Sequence, residues 1–108
     1  MSDPAPLEVW QVAELVVGQS EDIRPCIVLR VLKNGDAQIA PLSAHLALRG
    51  PPWQHFMIEA NHPDFPATGL AKSCYVLGDY LGTVERRQLL KRRGKLQGDL
   101  AKAFEEWI

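Results

Sequence analysis

An arginine, a hydroxyl and an imidazole gathered at one end of a strand pair can hold a phosphodiester and cleave it. Arg24, Ser43 and His45 have the residue types and the spacing for that chemistry. An arginine offers a lasting charge on a planar fork of donors that matches phosphate oxygens. A serine hydroxyl nearby can orient the scissile group, and a histidine exchanges protons near neutral pH. A plainer reading of the same residues stands beside it: Arg24 ion-paired with Glu21 or Asp22, and Ser43 satisfying a loop backbone group.

These residues depend on a hairpin to bring them together. Residues 26–32 form a β-rich run, Asn34-Gly35 follows, and residues 37–42 make the return strand. Asn-Gly suits the positive φ angles of a two-residue type I′ turn. Lys33 then pairs with Asp36, Leu32 with Ala37, Val28 with Pro41, Cys26 with Ser43 and Arg24 with His45. Opposed residues share a face, as do residues two apart on one strand. Arg24, Cys26, Ser43 and His45 are therefore expected on one face at the hairpin's open end. The register also puts Pro41 at a non-hydrogen-bonded position, where its missing N–H costs nothing.

The remaining elements follow from pattern. Residues 7–17 fit either helix or strand, with valines and Trp10 favouring a strand. Residues 53–60, 73–77 and 80–84 read as strands, and residues 61–72 as a loop. Residues 85–93 read as a short helix stopped by Gly94. A final helix begins near Asp99, with Leu100, Ala103, Phe104 and Trp107 as its apolar stripe. Residues 1–6 read as a disordered tail ahead of one domain spanning 7–108.

The chain has 108 residues, 46% hydrophobic and 23% charged, which suits a single soluble domain. No apolar run has the ~20 residues a membrane span needs, and the N-terminus lacks the pattern of a signal peptide, so a cytoplasmic location is expected. Cys26 and Cys74 sit in apolar runs and read as small buried hydrophobes. No paired Cys/His spacing suggests a metal site. The net charge of −1 is uneven, because residues 85–95 hold six bases against one acid. Such a run is either a solvated face or a phosphate footprint, with Arg86 and Arg87 as candidate phosphate contacts. His55 and His62 read as packing and turn residues. Trp10, Trp53 and Trp107 have the chemistry to stack on bases, although Trp107 reads as core.

Taken in order, these residues resemble the MazF/PemK family of bacterial toxin endoribonucleases, over nearly the whole chain. The matching pieces are Glu8-Val9-Trp10-Gln11-Val12, Val17-Gly18, the strand head Arg24-Pro25-Cys26-Ile27-Val28-Leu29 and the strand end Ile39-Ala40-Pro41-Leu42-Ser43. Gly69-Leu70-Ala71-Lys72-Ser73, Tyr75-Val76, Asp79 to Val84, Leu89, Gly94-Lys95-Leu96 and the helix from Asp99 continue the series. The resemblance favours a strand over residues 7–17. It implies a mainly β, SH3-like small barrel with a short helix and a C-terminal helix, often a homodimer. Such an enzyme cuts single-stranded RNA at short motifs with no metal or other cofactor. The ribose 2′-OH attacks the adjacent phosphorus, leaving a cyclic phosphate and a free 5′-OH. Arg24 matches the residue that assists proton transfer or stabilises the phosphorane charge, and Ser43 the hydroxyl on the scissile phosphate. Asp79 matches an accessory acidic position, and a small acidic antitoxin is the implied protein partner.

The sequence departs from the family pattern at three places. Gln19-Ser20-Glu21-Asp22-Ile23 stands where glycine-rich sequence is usual, Ser43 replaces the commoner threonine, and Gly82 replaces a frequent basic residue. These departures support a second reading, a catalytically silent barrel that binds protein or RNA. A third, a hydrolase dependent on His45, draws on a histidine that the family motif does not require.

Overall fold

Valine- and isoleucine-rich runs pair as strands because branched side chains pack well on a pleated surface. The computed structural model of the chain describes residues 3–17, 20–43, 55–78 and 81–108. Its strands are β1 (Glu8–Val17), β2 (Ser20–Val31), β3 (Ala37–Ser43), β4 (His55–Ile58), β5 (Cys74–Leu77), β6 (Gly82–Val84) and β7 (Leu89–Lys95), followed by helix α1 (Gly98–Trp107). The protein is mainly β. Its seven antiparallel strands run in the order β4-β5-β3-β2-β1-β7, with β6 paired to β3 off that path. No pairing joins β4 to β7 among the described residues. None of the described helices is long and apolar enough to cross a membrane.

The sheet buries both of its faces. Val9, Ile27, Ala40 and Leu42 point into a core shared with Ile58, Val76, Leu96, Leu100 and Phe104. Their neighbours in alternation, Trp10, Val12, Cys26, Val28 and Ile39, join Ala37, Val84 and Leu89 in a second cluster. On the first side α1 closes the core, with Phe104 and Trp107 against Phe56 at centroid separations of 5.5 and 5.7 Å. Trp107 is thus a packing residue, as its position in the stripe suggested. Ala103, expected in that stripe, is exposed, and Ala101 is buried in its place. Residues 100, 101 and 104 make the tighter face toward the sheet. Both cysteines are free and buried. Burial pushes the Cys26 thiol up to about 12, against a small opposing hydrogen bond with the Trp10 backbone. Burial raises the Cys74 thiol too, with Lys72 and Arg93 opposing.

The hairpin forms with a different turn from the expected one. Leu32 N donates to Asp36 O at 2.8 Å and Gly35 N to Leu32 O at 3.0 Å, so the loop holds three residues, Lys33, Asn34 and Gly35. Only Gly35, at φ 92, is left-handed there. Asn34 uses its side chain instead: Oδ1 accepts from Asp36 N and Nδ2 donates to Asp36 Oδ2, each at 3.0 Å. One left-handed glycine followed by a bulge is a common hairpin solution and spares Asn34 a positive φ. A Cβ on Gly35 would meet nothing within 4 Å. Gly35→Ala should therefore cost only the left-handed strain, about 1–2 kcal/mol, read from the midpoint of urea unfolding.

The new turn changes the register. Val31 pairs with Ala37, and Leu29 bulges out between the Arg30–Gln38 and Val28–Ile39 pairs. Cys26 then opposes Pro41 instead of Ser43, and Val28 opposes Ile39 instead of Pro41.

The expected helix over residues 85–93 is also absent. A single 3-10 turn, Arg86–Gln88, leads into β7, which pairs with β1 from Leu89–Val12 to Lys95–Glu8. An isolated nine-residue helix gains little on its own. As a strand, the segment shares backbone hydrogen bonds with β1 and keeps its bases at an exposed sheet edge, where charge discourages further pairing. The solvated-face reading of the basic run holds, on a strand instead of a helix. At the other terminus Ala5 N donates to Glu8 Oε1 at 2.7 Å and Leu7 N to Val28 O at 2.8 Å.

Candidate functional site

Arg24 lies on β2 opposite Val12 of β1. Val12 belongs to the second cluster, as does Cys26 two residues beyond Arg24, so alternation sets all three on that face. On β3, Pro41 opposes Cys26, and Ser43 two residues on falls on the same side. Extended by two more residues, the register would place Arg24 opposite Ser43. The two one-residue slips, at the turn and at Leu29, cancel in their effect on facing. Arg24, Cys26 and Ser43 therefore share a face as expected, through a different pairing. His45 and Asp79 lie outside the described residues. The ion pair of Arg24 with Glu21 or Asp22 rests on acidic side chains that also lie outside what is described.

Arg24 is half-buried, and its Nε is fully buried with no hydrogen-bond partner. A buried donor left unpaired costs about 1–3 kcal/mol, which makes such a group uncommon in a folded core. Ser43 is 8% exposed and pairs with Tyr75 at the start of the β3–β5 ladder.

A second group, not anticipated from sequence, spans β1 and the β7 side of it. The Glu8 carboxylate accepts from Ala5 N at 2.7 Å, Trp10 Nε1 at 3.0 Å and Arg92 Nε at 2.7 Å. The Arg86 guanidinium carbon sits 5.3 Å from the Trp10 ring centroid, a cation–π distance. Arg86 Nη1 donates to Leu89 O at 3.2 Å, and its backbone N donates to Asp36 Oδ1 at 3.2 Å. Arg87 is ion-paired with Glu85. Both expected phosphate contacts are thus held by neighbours in the same turn. Val12 is the cross-strand partner of both Arg24 and Leu89, so Leu89, at the end of the Arg86 turn, is about 10 Å from Arg24, two strand spacings. Glu8 and Trp10 are two apart on one strand, a legible clue; Arg92 and Arg86 reach them only through the β1–β7 pairing.

Burial by itself pushes the Glu8 carboxyl up. Hydrogen bonds from Trp10 and Ala5, then the bond and charge of Arg92, outweigh it and hold the carboxyl below its ordinary 4.5. A lowered folded value means that the ionised carboxylate stabilises the fold above about pH 4.5, and that this contribution fades as the pH drops through the folded value. Glu8→Gln should lower stability at pH 7 and reduce the loss on acidification. Urea unfolding at pH 7 and pH 3.5 reads both; an unchanged acid loss in the variant would assign the sensitivity to other groups.

His62 is a turn residue, its Nδ1 accepting from Asp64 N at 3.0 Å. Trp10 is 5% exposed, so its stacking partner within the fold is Arg86. Trp53 lies outside the described residues. Among the described residues, no group of three or more His, Cys, Asp or Glu is placed to hold a metal ion. Compared with known proteins, the chain matches no family model and no curated sequence.

Proposed function

We propose that this chain is a sequence-specific endoribonuclease of the MazF/PemK type, the toxin of a toxin–antitoxin pair. In this reading it folds as an SH3-like small barrel, works as a cytoplasmic homodimer on single-stranded RNA without a metal, and is restrained by an acidic antitoxin. The observation that carries the reading is the buried, unpartnered Nε of Arg24 on the face that also bears Ser43. A guanidinium whose Nε the fold leaves without an acceptor is suited to an anion arriving from outside.

The chemistry follows from those groups. The ribose 2′-oxygen attacks the adjacent phosphorus as the bond to the 5′-oxygen breaks, giving a 2′,3′-cyclic phosphate. Negative charge grows on the non-bridging oxygens, where the Arg24 fork gains most. The Ser43 hydroxyl fixes the phosphate's orientation. One proton leaves the 2′-OH and one reaches the departing 5′-oxygen, with Arg24, His45 and Asp79 as the candidate carriers.

The silent-module reading is favoured by the burial of Ser43, which at 8% exposure leaves little surface for a substrate. One assay separates the two. Purified protein is incubated with a long single-stranded RNA in EDTA, beside Arg24→Ala and Ser43→Ala. Cleavage by wild type that ends in cyclic phosphate and collapses in Arg24→Ala is expected. Intact RNA, or cleavage unchanged in Arg24→Ala, rejects the nuclease.

A further inference from the structure

We propose that the depression beside the Arg86 turn is a nucleobase pocket that prefers a base with an exocyclic amino group over one with a carbonyl in its place. The proposal rests on the RNA reading above and adds a specificity determinant to it. The depression holds about 650 Å³ and is lined by Asp3, Arg86, Arg87, Leu89 and Leu90.

Arg86 lines this depression, and its guanidinium carbon lies 5.3 Å from the Trp10 ring centroid. The guanidinium is held by the Trp10 ring and the Leu89 carbonyl, and the Arg86 backbone N is anchored on the Asp36 carboxylate. A planar, delocalised cation held in place is a stacking surface for a base. Leu90, 50% exposed, supplies an apolar wall.

Asp3 decides what kind of ligand suits the pocket. Asp3 is an exposed lining residue whose negative charge disfavours a phosphate, and Arg87 is already engaged by Glu85. The same carboxylate accepts a hydrogen bond from cytosine N4 or adenine N6, whereas uracil turns a carbonyl oxygen toward it. With Arg24 about 10 Å across β1 from the lining residue Leu89, the pocket is placed for a base flanking the scissile phosphate.

The test uses all-deoxy hexamers of cytidine and of uridine, which lack the attacking 2′-OH and so report binding alone. Fluorescence anisotropy at fixed salt and neutral pH gives the two affinities. The cytidine hexamer should bind about 3- to 10-fold tighter. Asp3→Ala should bring the ratio to about one by weakening cytidine binding alone. Arg86→Lys keeps the charge and loses the plane, and should weaken both hexamers at least about 5-fold with the ratio retained. Equal affinities in wild type, a preference that survives Asp3→Ala, or no binding of either hexamer would overturn the pocket. Failure of the nuclease reading has a different signature, base-selective binding with RNA left intact.

Discussion

Replacing Arg24 by alanine is expected to slow RNA cleavage by about 100- to 1,000-fold, the usual loss when one well-placed donor to a developing oxyanion is removed. The fold should survive the change. Nε is buried and unpartnered in the free protein, so truncation removes a desolvation cost of about 1–3 kcal/mol as well as the packing of the side-chain stem. These effects oppose one another, and the melting temperature should stay within a few degrees of wild type. Arg24→Lys restores a charge but not the fork, and should remain at least about 10-fold slower than wild type. Quenched-flow cleavage of a labelled RNA and a thermal melt of each variant read the two quantities separately. A variant that loses activity and stability together would mark Arg24 as a structural residue.

Gly94→Ala should be strongly destabilising, costing about 3 kcal/mol. Gly94 pairs with Val9 in the β1–β7 ladder, and the turn around Pro66–Thr68 lies directly against it. A Cβ there would overlap the Ala67 carbonyl oxygen and the Thr68 carbonyl group. Both obstacles are backbone, so no flexible side chain can yield. Gly69 closes the same contact from the other side, since its own Cβ would strike the Arg93 carbonyl and its φ of 72 already calls for glycine. In a domain of this size the loss corresponds to a fall in melting temperature of about 12–24 °C. A melt within a few degrees of wild type would show that the turn can lift away from β7. Gly35→Ala is the natural comparison, because it carries backbone strain with open space around it.

Gly94 also marks a boundary between what pattern and what packing decide. In the sequence it follows a basic run read as a short helix and reads as its stop. In the fold it is the point where two backbones meet. The difference lies in β1: residues 89–95 acquire a strand partner more than 75 positions away in the chain, and no local window contains that information. The Arg86–Trp10 stack and the Glu8–Arg92 bond were hidden for the same reason.

Local chemistry carried further elsewhere. The runs on either side of Asn34-Gly35 had to pair, the two cysteines had to be buried, and Phe104 and Trp107 had to face the sheet, because each follows from short-range periodicity and apolar burial. The turn type was not settled by Asn-Gly, since one left-handed glycine and an Asn34 side-chain bond compete with the two-residue turn on nearly equal terms. The common face of Arg24, Cys26 and Ser43 survived even so. Side chains alternate with a period of two, so one slip at the turn and another at Leu29 restore the original facing while changing every partner. By itself, then, the sequence determined that Arg24, Cys26 and Ser43 share the candidate face. Only the tertiary structure decided that Arg24 Nε is enclosed there without a partner, because burial and the absence of an acceptor are properties of everything packed around it.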